Sequence, residues 1–399
     1  MPRTTISGII LPFPGAVLIN SVDMFEHIGQ NEEVAVTGGA GFIGRHLVAV
    51  LGRLGKRITV VDLAELPDGL ARLPGVRQVR ADLRDYGETL LALQGADVVF
   101  HLAGNASGTV SVERPRHDFQ LNALGTCNVG NACLELGVRK LVHLSSAIVY
   151  GTPRYAPMDE EHPTRPFLPY GASKLSGELT LLSLWHSGGL PVVIGRPFVV
   201  YGPGEHPEHA GGEVSQFLRW HLNGLPIPVV GDIDLKTRDF VHVDDVCRAL
   251  LALADRGGDG EVYNLGSGSG VSMRELADAV GRATGRPALL EADTSSTEDS
   301  FALVADVSKL TALGCTAGIG LARGLSDLAA VLGREPELPS AKAVFRRARP
   351  ARRRLTEDPM APVRSGPGAR SVAAVSAEGP GAARTDPASA PDPAGTPPC

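Results

Sequence analysis

Residues 33–44 read EVAVTGGAGFIG, so that a short apolar strand runs directly into a glycine-rich turn. Glycine stands at positions 38, 41 and 44, and an amphipathic helical pattern follows the turn. At such a strand-to-helix turn, missing side chains let the backbone approach a pyrophosphate held at the helix N-terminus. The pattern predicts a dinucleotide-binding turn around Gly38, Gly41 and Gly44.

The next strand, RITVVD at residues 57–62, points to the rest of the cofactor. It ends in Asp62, 18 residues after Gly44, where a carboxylate accepts hydrogen bonds from the hydroxyls of the adenosine ribose. The following residue is Leu63 rather than a basic residue that could hold a 2′-phosphate. The sequence therefore favours NAD over NADP as the cofactor.

Further strand-like runs occur at residues 96–104, 140–146 and 191–196, and helical segments separate them. Alternating strands and helices predict an α/β protein with a Rossmann-type, doubly wound parallel sheet. A smaller C-terminal α/β part is expected to bind the substrate. Such folds bind ligands beyond the carboxyl ends of the strands, and Ser145 and Ser146 follow one such end.

Composition divides the 399 residues into four segments. Residues 1–32 are expected to form a poorly ordered extension, and residues 33–190 a NAD-binding Rossmann domain with the catalytic residues. Residues 191–333 are expected to form a substrate-binding region interleaved with the Rossmann sheet. From residue 334 to residue 399 the chain is rich in Ala, Pro and Arg, and such a tail buries too little apolar surface to order itself.

Charge and cysteine usage argue against several other classes of protein. The net charge of −6 is mild and gives no reason to expect a nucleic-acid partner. The five cysteines are scattered without a C-x-x-C pair, which argues against a disulfide framework or structural zinc and for a cytoplasmic protein. The apolar run at residues 7–19 is short and holds two prolines, so no membrane span is expected. His206 and His209 lack a third ligand, so no metal is expected.

The sequence YGASK at Tyr170–Lys174 places a phenol and an ammonium four residues apart. On a helix begun by Pro169 the two side chains lie on one face, one turn apart. A nearby positive charge favours tyrosinate, which predicts that Lys174 lowers the pKa of Tyr170 and makes it a base. The alternative is a chance pair of an exposed tyrosine and a solvated lysine.

Several motifs, taken together in chain order, resemble one family. They are TGGAGFIG at 37–44, HLAG at 101–104, SSAIVYG at 145–151, YGASK at 170–174, YGPG at 201–204 and RDFVHVDD at 238–245. The chain resembles the extended short-chain dehydrogenase/reductase family from about residue 33 to residue 331. Within that family it is similar to NAD-dependent nucleotide-sugar epimerases and dehydratases, of which UDP-galactose 4-epimerase is a representative.

The resemblance implies roles for particular residues. Tyr170 would be the catalytic acid/base, Lys174 its partner and a ligand of the nicotinamide ribose, and Ser146 a hydrogen-bond donor to the reacting oxygen. Asp82 and Leu83 would lie beneath the adenine. The cofactor-binding residues would be Gly38, Gly41, Phe42, Ile43, Gly44, Asp62, Asp82, Leu83, Leu102, Ala103, Gly104, Asn122, Ser145, Tyr170, Lys174 and Pro197.

On the substrate side the resemblance implies contacts from Ser146, Tyr170, Val199 and Arg238. Arg238 would hold the nucleotide diphosphate, a task that suits a planar cation with several donors; the alternative is a surface arginine flanked by Asp239. Two departures from the family pattern stand here. Relatives carry asparagine where this chain has Val199, and the segment 294–300 lacks a second arginine for the diphosphate.

The residues after Ser146 help to choose the reaction. Sugar 4,6-dehydratases of the family carry an Asp-Glu pair there, whereas this chain has Ala147 and Ile148. The resemblance therefore implies NAD-dependent epimerisation of a nucleotide sugar, at C4. A 4-ketoreductase, another oxidoreductase or dehydratase of the family, and a non-catalytic NAD-binding scaffold are the alternatives. The family also implies a homodimer, formed by the Tyr170 helix and the helix near residues 122–136.

Overall fold

A computed structural model of the protein describes residues 32–207, 212–294, 300–333 and 336–338. The predicted N-terminal extension and C-terminal tail lie outside the described residues, apart from Glu32 and residues 336–338. All described residues belong to one unit of the chain.

Seven parallel strands form the central sheet, with the first strand of the chain in its interior. The spatial order reverses direction beside that first strand, which is where doubly wound sheets bind nucleotides. The predicted Rossmann-type fold is confirmed. In spatial order the strands are β10 (Glu261–Leu265), β6 (Val192–Pro197), β5 (Lys140–Leu144), β4 (Val98–His101), β1 (Glu33–Thr37), β2 (Arg57–Val61) and β3 (Val76–Val79).

Helices cover both faces of the sheet, because its strands are apolar on both sides. In β1, Val34 and Val36 pack in one buried cluster and Ala35 in another, as the twofold alternation of a strand requires. The helices are α1 (Phe42–Arg53), α2 (Asp68–Ala71), α3 (Tyr86–Leu93), α4 (Gly108–Glu113), α5 (Pro115–Phe119), α6 (Gly125–Leu136), α7 (Pro169–Gly188), α8 (Glu213–Leu222), α9 (Val243–Arg256), α10 (Met273–Thr284), α11 (Ser308–Ala312) and α12 (Leu321–Leu332).

The C-terminal part builds a smaller layer and also returns twice to the main sheet, through β6 and β10. Helices α8, α10 and α12 enclose a separate apolar core there. Its strands are β7 (Val199–Tyr201), β9 (Thr237–His242), β11 (Gly270–Ser272) and β13 (Ala302–Leu303) in one small sheet, and β8 (Ile227–Val230) with β12 (Leu290–Asp293) in another.

Two short irregular helices lie at the carboxyl edge of the main sheet. A π-helical turn at Gln120–Leu124 joins α5 to α6, and a 3-10 helix at Ala147–Tyr150 follows β5. Single π-helical turns inserted between helices occur often at functional sites. The π-helical turn holds Asn122 and Ser146 caps the 3-10 helix, and the sequence places both of these residues at the active site.

Candidate active site

The glycine turn is shaped to hold a pyrophosphate. Gly38 has a φ of +72°, and a Cβ there would lie 2.6 Å from the backbone nitrogen of Ala103. A Cβ on Gly44 would collide with the carbonyl of Gly38. Gly41 occupies the N-cap of α1, where no side chain caps the helix. The first N–H groups of α1, those of Phe42, Ile43 and Gly44, are thus left to bind a phosphate.

Asp62 lies directly beyond β2 and is fixed from two sides. Its carboxylate accepts hydrogen bonds from the backbone N–H of Ala40 and of Ala64, each at 3.0 Å. Each carboxylate oxygen can accept a further hydrogen bond. The neighbouring Leu63 is exposed and offers no charge to a 2′-phosphate. The position suits ribose hydroxyls, as the sequence predicts.

The remaining predicted cofactor residues line the carboxyl ends of β3 to β6. Ser145 follows β5, and its hydroxyl is buried without a hydrogen-bond partner among the described residues. A buried unpaired hydroxyl beside a cleft is consistent with a ligand there. Asp82 instead binds Arg84 (Nε–Oδ1 2.9 Å), which lowers the pKa of Asp82. The other predicted residues at these strand ends are Leu83, Leu102, Ala103, Gly104 and Pro197. Together these features fit NAD.

Tyr170 and Lys174 lie one turn apart at the start of α7, which begins at Pro169 as predicted. Ser146, which follows β5, forms a hydrogen bond with the phenol of Tyr170. Lys174 is buried and its ammonium donates to the carbonyl of Leu144 at 2.7 Å. The structure therefore brings the three predicted catalytic residues together at one strand end.

The pKa of Tyr170 is shifted in the direction opposite to the one that the sequence predicts. Tyr170 remains partly accessible, yet burial raises the pKa of its phenol to about 12. The hydrogen bond with Ser146 lowers this pKa, and the charge of Asp118 raises it further. The prediction that Lys174 lowers the pKa of Tyr170 is therefore wrong for the protein without ligand. Burial also lowers the pKa of Lys174 to about 8, against the attraction of Glu178 and Asp118, so this ammonium loses its proton more readily than an exposed lysine does.

Sequence reasoning missed a buried polar group behind these residues. Asp118 in α5 is fully buried and accepts hydrogen bonds from three side chains. The donors are Asn105 Nδ2 at 2.6 Å, Asn122 Nδ2 at 3.1 Å and Ser173 Oγ at 2.6 Å. The donors lie 13, 4 and 55 positions away. The one sequence signal for this hydrogen-bonded cluster around Asp118 is that Ser173 directly precedes Lys174.

Asn122, one of the predicted cofactor-binding residues, lies in the π-helical turn. Its carbonyl accepts from Thr126 Oγ1 at 2.6 Å, so the Thr126 hydroxyl oxygen accepts in turn from His101 Nε2 at 2.9 Å. His101 then carries its proton on Nε2, and its Nδ1 accepts from Thr37 Oγ1 at 2.7 Å. Burial lowers the pKa of His101 to about 3, which keeps the ring neutral. This series of hydrogen bonds connects the end of β1 to the π-helical turn.

Two of the predicted substrate residues, Arg238 and Val199, lie in the smaller layer. Arg238 in β9 is only 5 % exposed, so its alternative interpretation as a surface residue is wrong. Its Nη1 donates to the carbonyls of Thr237 and Phe301, each at 2.9 Å, and its Nε lies 3.6 Å from Glu213 Oε1. The half-buried Val199 pairs with Phe240 across β7 and β9. Part of the 294–300 segment, residues 295–299, and His209 lie outside the described residues.

No helix in the described part of the chain is long and apolar enough to cross a membrane. Within the same residues, no group of three His, Cys, Asp or Glu side chains is arranged to hold a metal.

Comparison with known proteins agrees with this geometry. Residues 34–266 match the NAD dependent epimerase/dehydratase family. A putative UDP-glucose 4-epimerase of Methanocaldococcus jannaschii is 33 % identical over 295 residues, which cover 73 % of this chain and 95 % of that protein. A dTDP-glucose 4,6-dehydratase of Streptomyces antibioticus is 35 % identical over 255 residues, covering 60 % and 74 %.

Solved structures give the same result. The UDP-glucose 4-epimerase of Thermus thermophilus, in complex with NAD, is 36 % identical with a TM-score of 0.68. The match covers 75 % of this chain and 98 % of that one.

Proposed function

The chain belongs to the NAD dependent epimerase/dehydratase family, and we propose that it epimerises C4 of a nucleotide-activated sugar through a transient 4-keto intermediate. Membership of the family confirms NAD as the predicted cofactor. What remains to be chosen is the reaction, since curated relatives include both epimerases and dehydratases.

The observation that carries the proposal is the pair of apolar residues after Ser146. Ala147 is buried and Ile148 half-buried in the 3-10 helix. Neither can donate or accept a proton, whereas elimination of water needs an acid and a base in addition to the tyrosine that takes the hydroxyl proton during oxidation. The carboxylate that acts on Tyr170, that of Asp118, is buried beneath the site with its hydrogen bonds already made. The site therefore suits hydride and proton exchange without elimination.

Each catalytic side chain has a role that its position supports. Tyr170 accepts the proton of the sugar hydroxyl and later returns one to the new hydroxyl. Ser146 donates to the reacting oxygen and, through its hydrogen bond with the phenol, favours tyrosinate. Lys174, held by the Leu144 carbonyl, is placed to bind a ribose hydroxyl. The glycine turn and Asp62 would hold NAD, which would supply reversible hydride transfer at the sugar carbon and a positive ring that favours tyrosinate.

The nucleotide diphosphate is proposed to bind Arg238. The guanidinium lies 5.0 Å above the Phe301 ring and beside Glu213. Its fixed orientation suits planar recognition of a diphosphate oxygen. The apolar Val199 on the neighbouring strand supports a substrate whose sugar differs from that of the common UDP-hexose enzymes.

The test is incubation of purified protein, with its bound NAD and no added cofactor, with UDP- and dTDP-hexoses. The expected product is the 4-epimer, with unchanged mass and no net NADH. A sugar deuterated at C4 should keep its label in ordinary water, because the same hydride returns to the same carbon. Tyr170→Phe serves as the inactive control.

Two other results would replace the proposal. A product lighter by one water would identify a 4,6-dehydratase. Turnover that consumes stoichiometric NADH and yields only reduced sugar would identify a 4-ketoreductase.

We further propose a cytoplasmic homodimer. The cysteines among the described residues are free, as in reducing compartments. Exposed apolar side chains on α5, the π-helical turn and α7, namely Phe119, Leu124 and Leu179, support pairing through the predicted helices. Light scattering after size exclusion should give twice the chain mass, and Leu179→Glu should lower it to that of one chain.

A further inference from the structure

The position of Asp118 is unusual for a carboxylate, because a buried charge raises the free energy of the folded state unless it is paired. Its side chain is fully buried, and within the described residues it has no ion-pair partner. Three neutral donors satisfy it instead: Asn105, Asn122 and Ser173. A neutral residue of similar shape could hold the same packing, so the retained charge calls for a role.

The donors come from three different walls of the active site. Asn105 follows β4, Asn122 lies in the π-helical turn, and Ser173 precedes Lys174 in α7. These walls are also bonded to each other, since Asn122 Nδ2 lies 3.0 Å from Ser173 Oγ and the Asn105 N–H donates to Asn122 Oδ1 at 2.8 Å. Among the described residues, Asp118 is the one group that accepts from all three, so it fixes their relative positions.

The charge of Asp118 acts on the catalytic pair. It raises the pKa of both Lys174 and Tyr170, which favours an ammonium beside a phenol in the protein without ligand. Glu178 acts on Lys174 more strongly, but its carboxylate is also bonded to Arg196 (Nη2–Oε2 2.6 Å).

The histidines facing Lys174 act differently. Burial, with the nearby Lys174 charge, lowers the pKa of both His101 and His143. Neutral rings add no charge near pH 8, so the carboxylates of Glu178 and Asp118 are the groups that sustain the ammonium.

We propose that Asp118 is a positioning residue: its carboxylate fixes Asn122 and Ser173 and supplies negative charge that keeps the Lys174 ammonium protonated. This inference rests on the proposed role of Lys174 beside Tyr170. Its test needs no turnover, so failure of the proposed reaction and failure of this inference give different results.

The experiment is an NMR titration of protein labelled with [13Cε]lysine, with the Lys174 resonance assigned through Lys174→Met. Wild type should titrate near pH 8. Asp118→Asn keeps the shape, can accept from Asn122 and can donate to the Ser173 hydroxyl, but it carries no charge. Its Lys174 midpoint should fall by about one pH unit, the lower end of what a nearby charge produces.

Ser173→Ala is the matched control. It removes one donor but leaves the charge of Asp118, so its Lys174 midpoint should stay close to that of wild type. Both variants should weaken NAD binding, because both loosen the walls.

If Asp118→Asn does not fold, Asp118→Ser provides the same measurement in a smaller side chain. An unchanged midpoint in either folded variant would overturn the proposal. Loss of folding in both, with Ser173→Ala folded, would assign Asp118 a purely structural role and overturn it equally.

Discussion

Two buried carboxylates distinguish the cofactor half of the protein from the half that is proposed to bind the substrate. Asp118, behind the nicotinamide side, accepts three side-chain hydrogen bonds. Glu205, in the loop after β7, has a buried Oε2 with no partner among the described residues. Burial raises the pKa of Glu205 to about 8, although the Gly212 N–H and Arg219 oppose it. The carboxylate of Asp118 is therefore satisfied before any ligand binds, whereas that of Glu205 is not.

This difference follows the way each half is built. The cofactor residues lie at ends of parallel strands and the first turns of the helices after them, where the backbone fixes their position. The proposed substrate cation is instead held by a distant part of the chain. Arg238 Nη1 donates to the carbonyl of Phe301 at 2.9 Å, 63 positions away. We infer that the cofactor site is preorganised and that the substrate site has charges to rearrange.

The largest expected effect lies in the cofactor half. Tyr170→Phe removes the proposed acid/base, and we expect turnover to fall at least about a hundredfold with NAD binding retained. Tyr155→Phe, which removes an exposed phenol bonded to Asp159, is the matched control and should keep wild-type turnover. Steady-state kinetics and NAD titration measure both. Near wild-type turnover in Tyr170→Phe would remove this residue from the mechanism.

The next largest effect tests the preorganised turn. Gly38 and Gly55 have nearly the same positive φ, +72° and +71°, but a Cβ on Gly38 meets Ala103 whereas one on Gly55 meets nothing within 4 Å. Both alanine variants should lose about 1 kcal/mol of stability from backbone strain. Only Gly38→Ala should also weaken NAD binding, by roughly 10- to 100-fold, because the turn must move. Equal NAD affinities in a calorimetric titration would contradict this account of the turn.

A smaller effect is expected at the substrate cation. Arg238→Lys keeps the charge but loses the planar donors, so KM for the nucleotide sugar should rise about tenfold with little change in kcat. NAD affinity should not change. Arg274→Lys, at an exposed arginine paired with Asp234, is the control and should leave KM unaltered. An unchanged KM in Arg238→Lys would place the diphosphate elsewhere.

The same contrast explains how much the sequence could predict. Gly38, Asp62, Ser146, Tyr170 and Lys174 stand in short motifs whose spacing alone brings them to one edge of the sheet. The pKa of Tyr170 was predicted in the wrong direction, because desolvation depends on the packing of distant segments and not on the i, i+4 spacing.

Long-range partners were equally hidden from the sequence. Asp118 meets Ser173 55 positions away, and Arg238 meets Phe301 63 positions away. Local pattern carries no information on either contact.

The last expected effect concerns Glu205 and appears in stability. Folded Glu205 keeps its proton up to about pH 8, whereas the unfolded chain releases it near the ordinary value of 4.5. Between these values the folded state holds more protons, so the free energy of unfolding should fall as the pH rises, by at most about 1.4 kcal/mol per pH unit. Glu205→Gln keeps the shape and an acceptor for the Gly212 N–H but has no proton to lose. Its stability should therefore lack this decline.

Asp278→Asn, at an exposed position of α10, should keep the wild-type slope. Urea unfolding at pH 5.5, 6.5 and 7.5 measures all three proteins. If stability depends on pH with the same slope in wild type and Glu205→Gln, Glu205 is ionised in the folded protein. The contrast between a satisfied Asp118 and an unsatisfied Glu205 then fails.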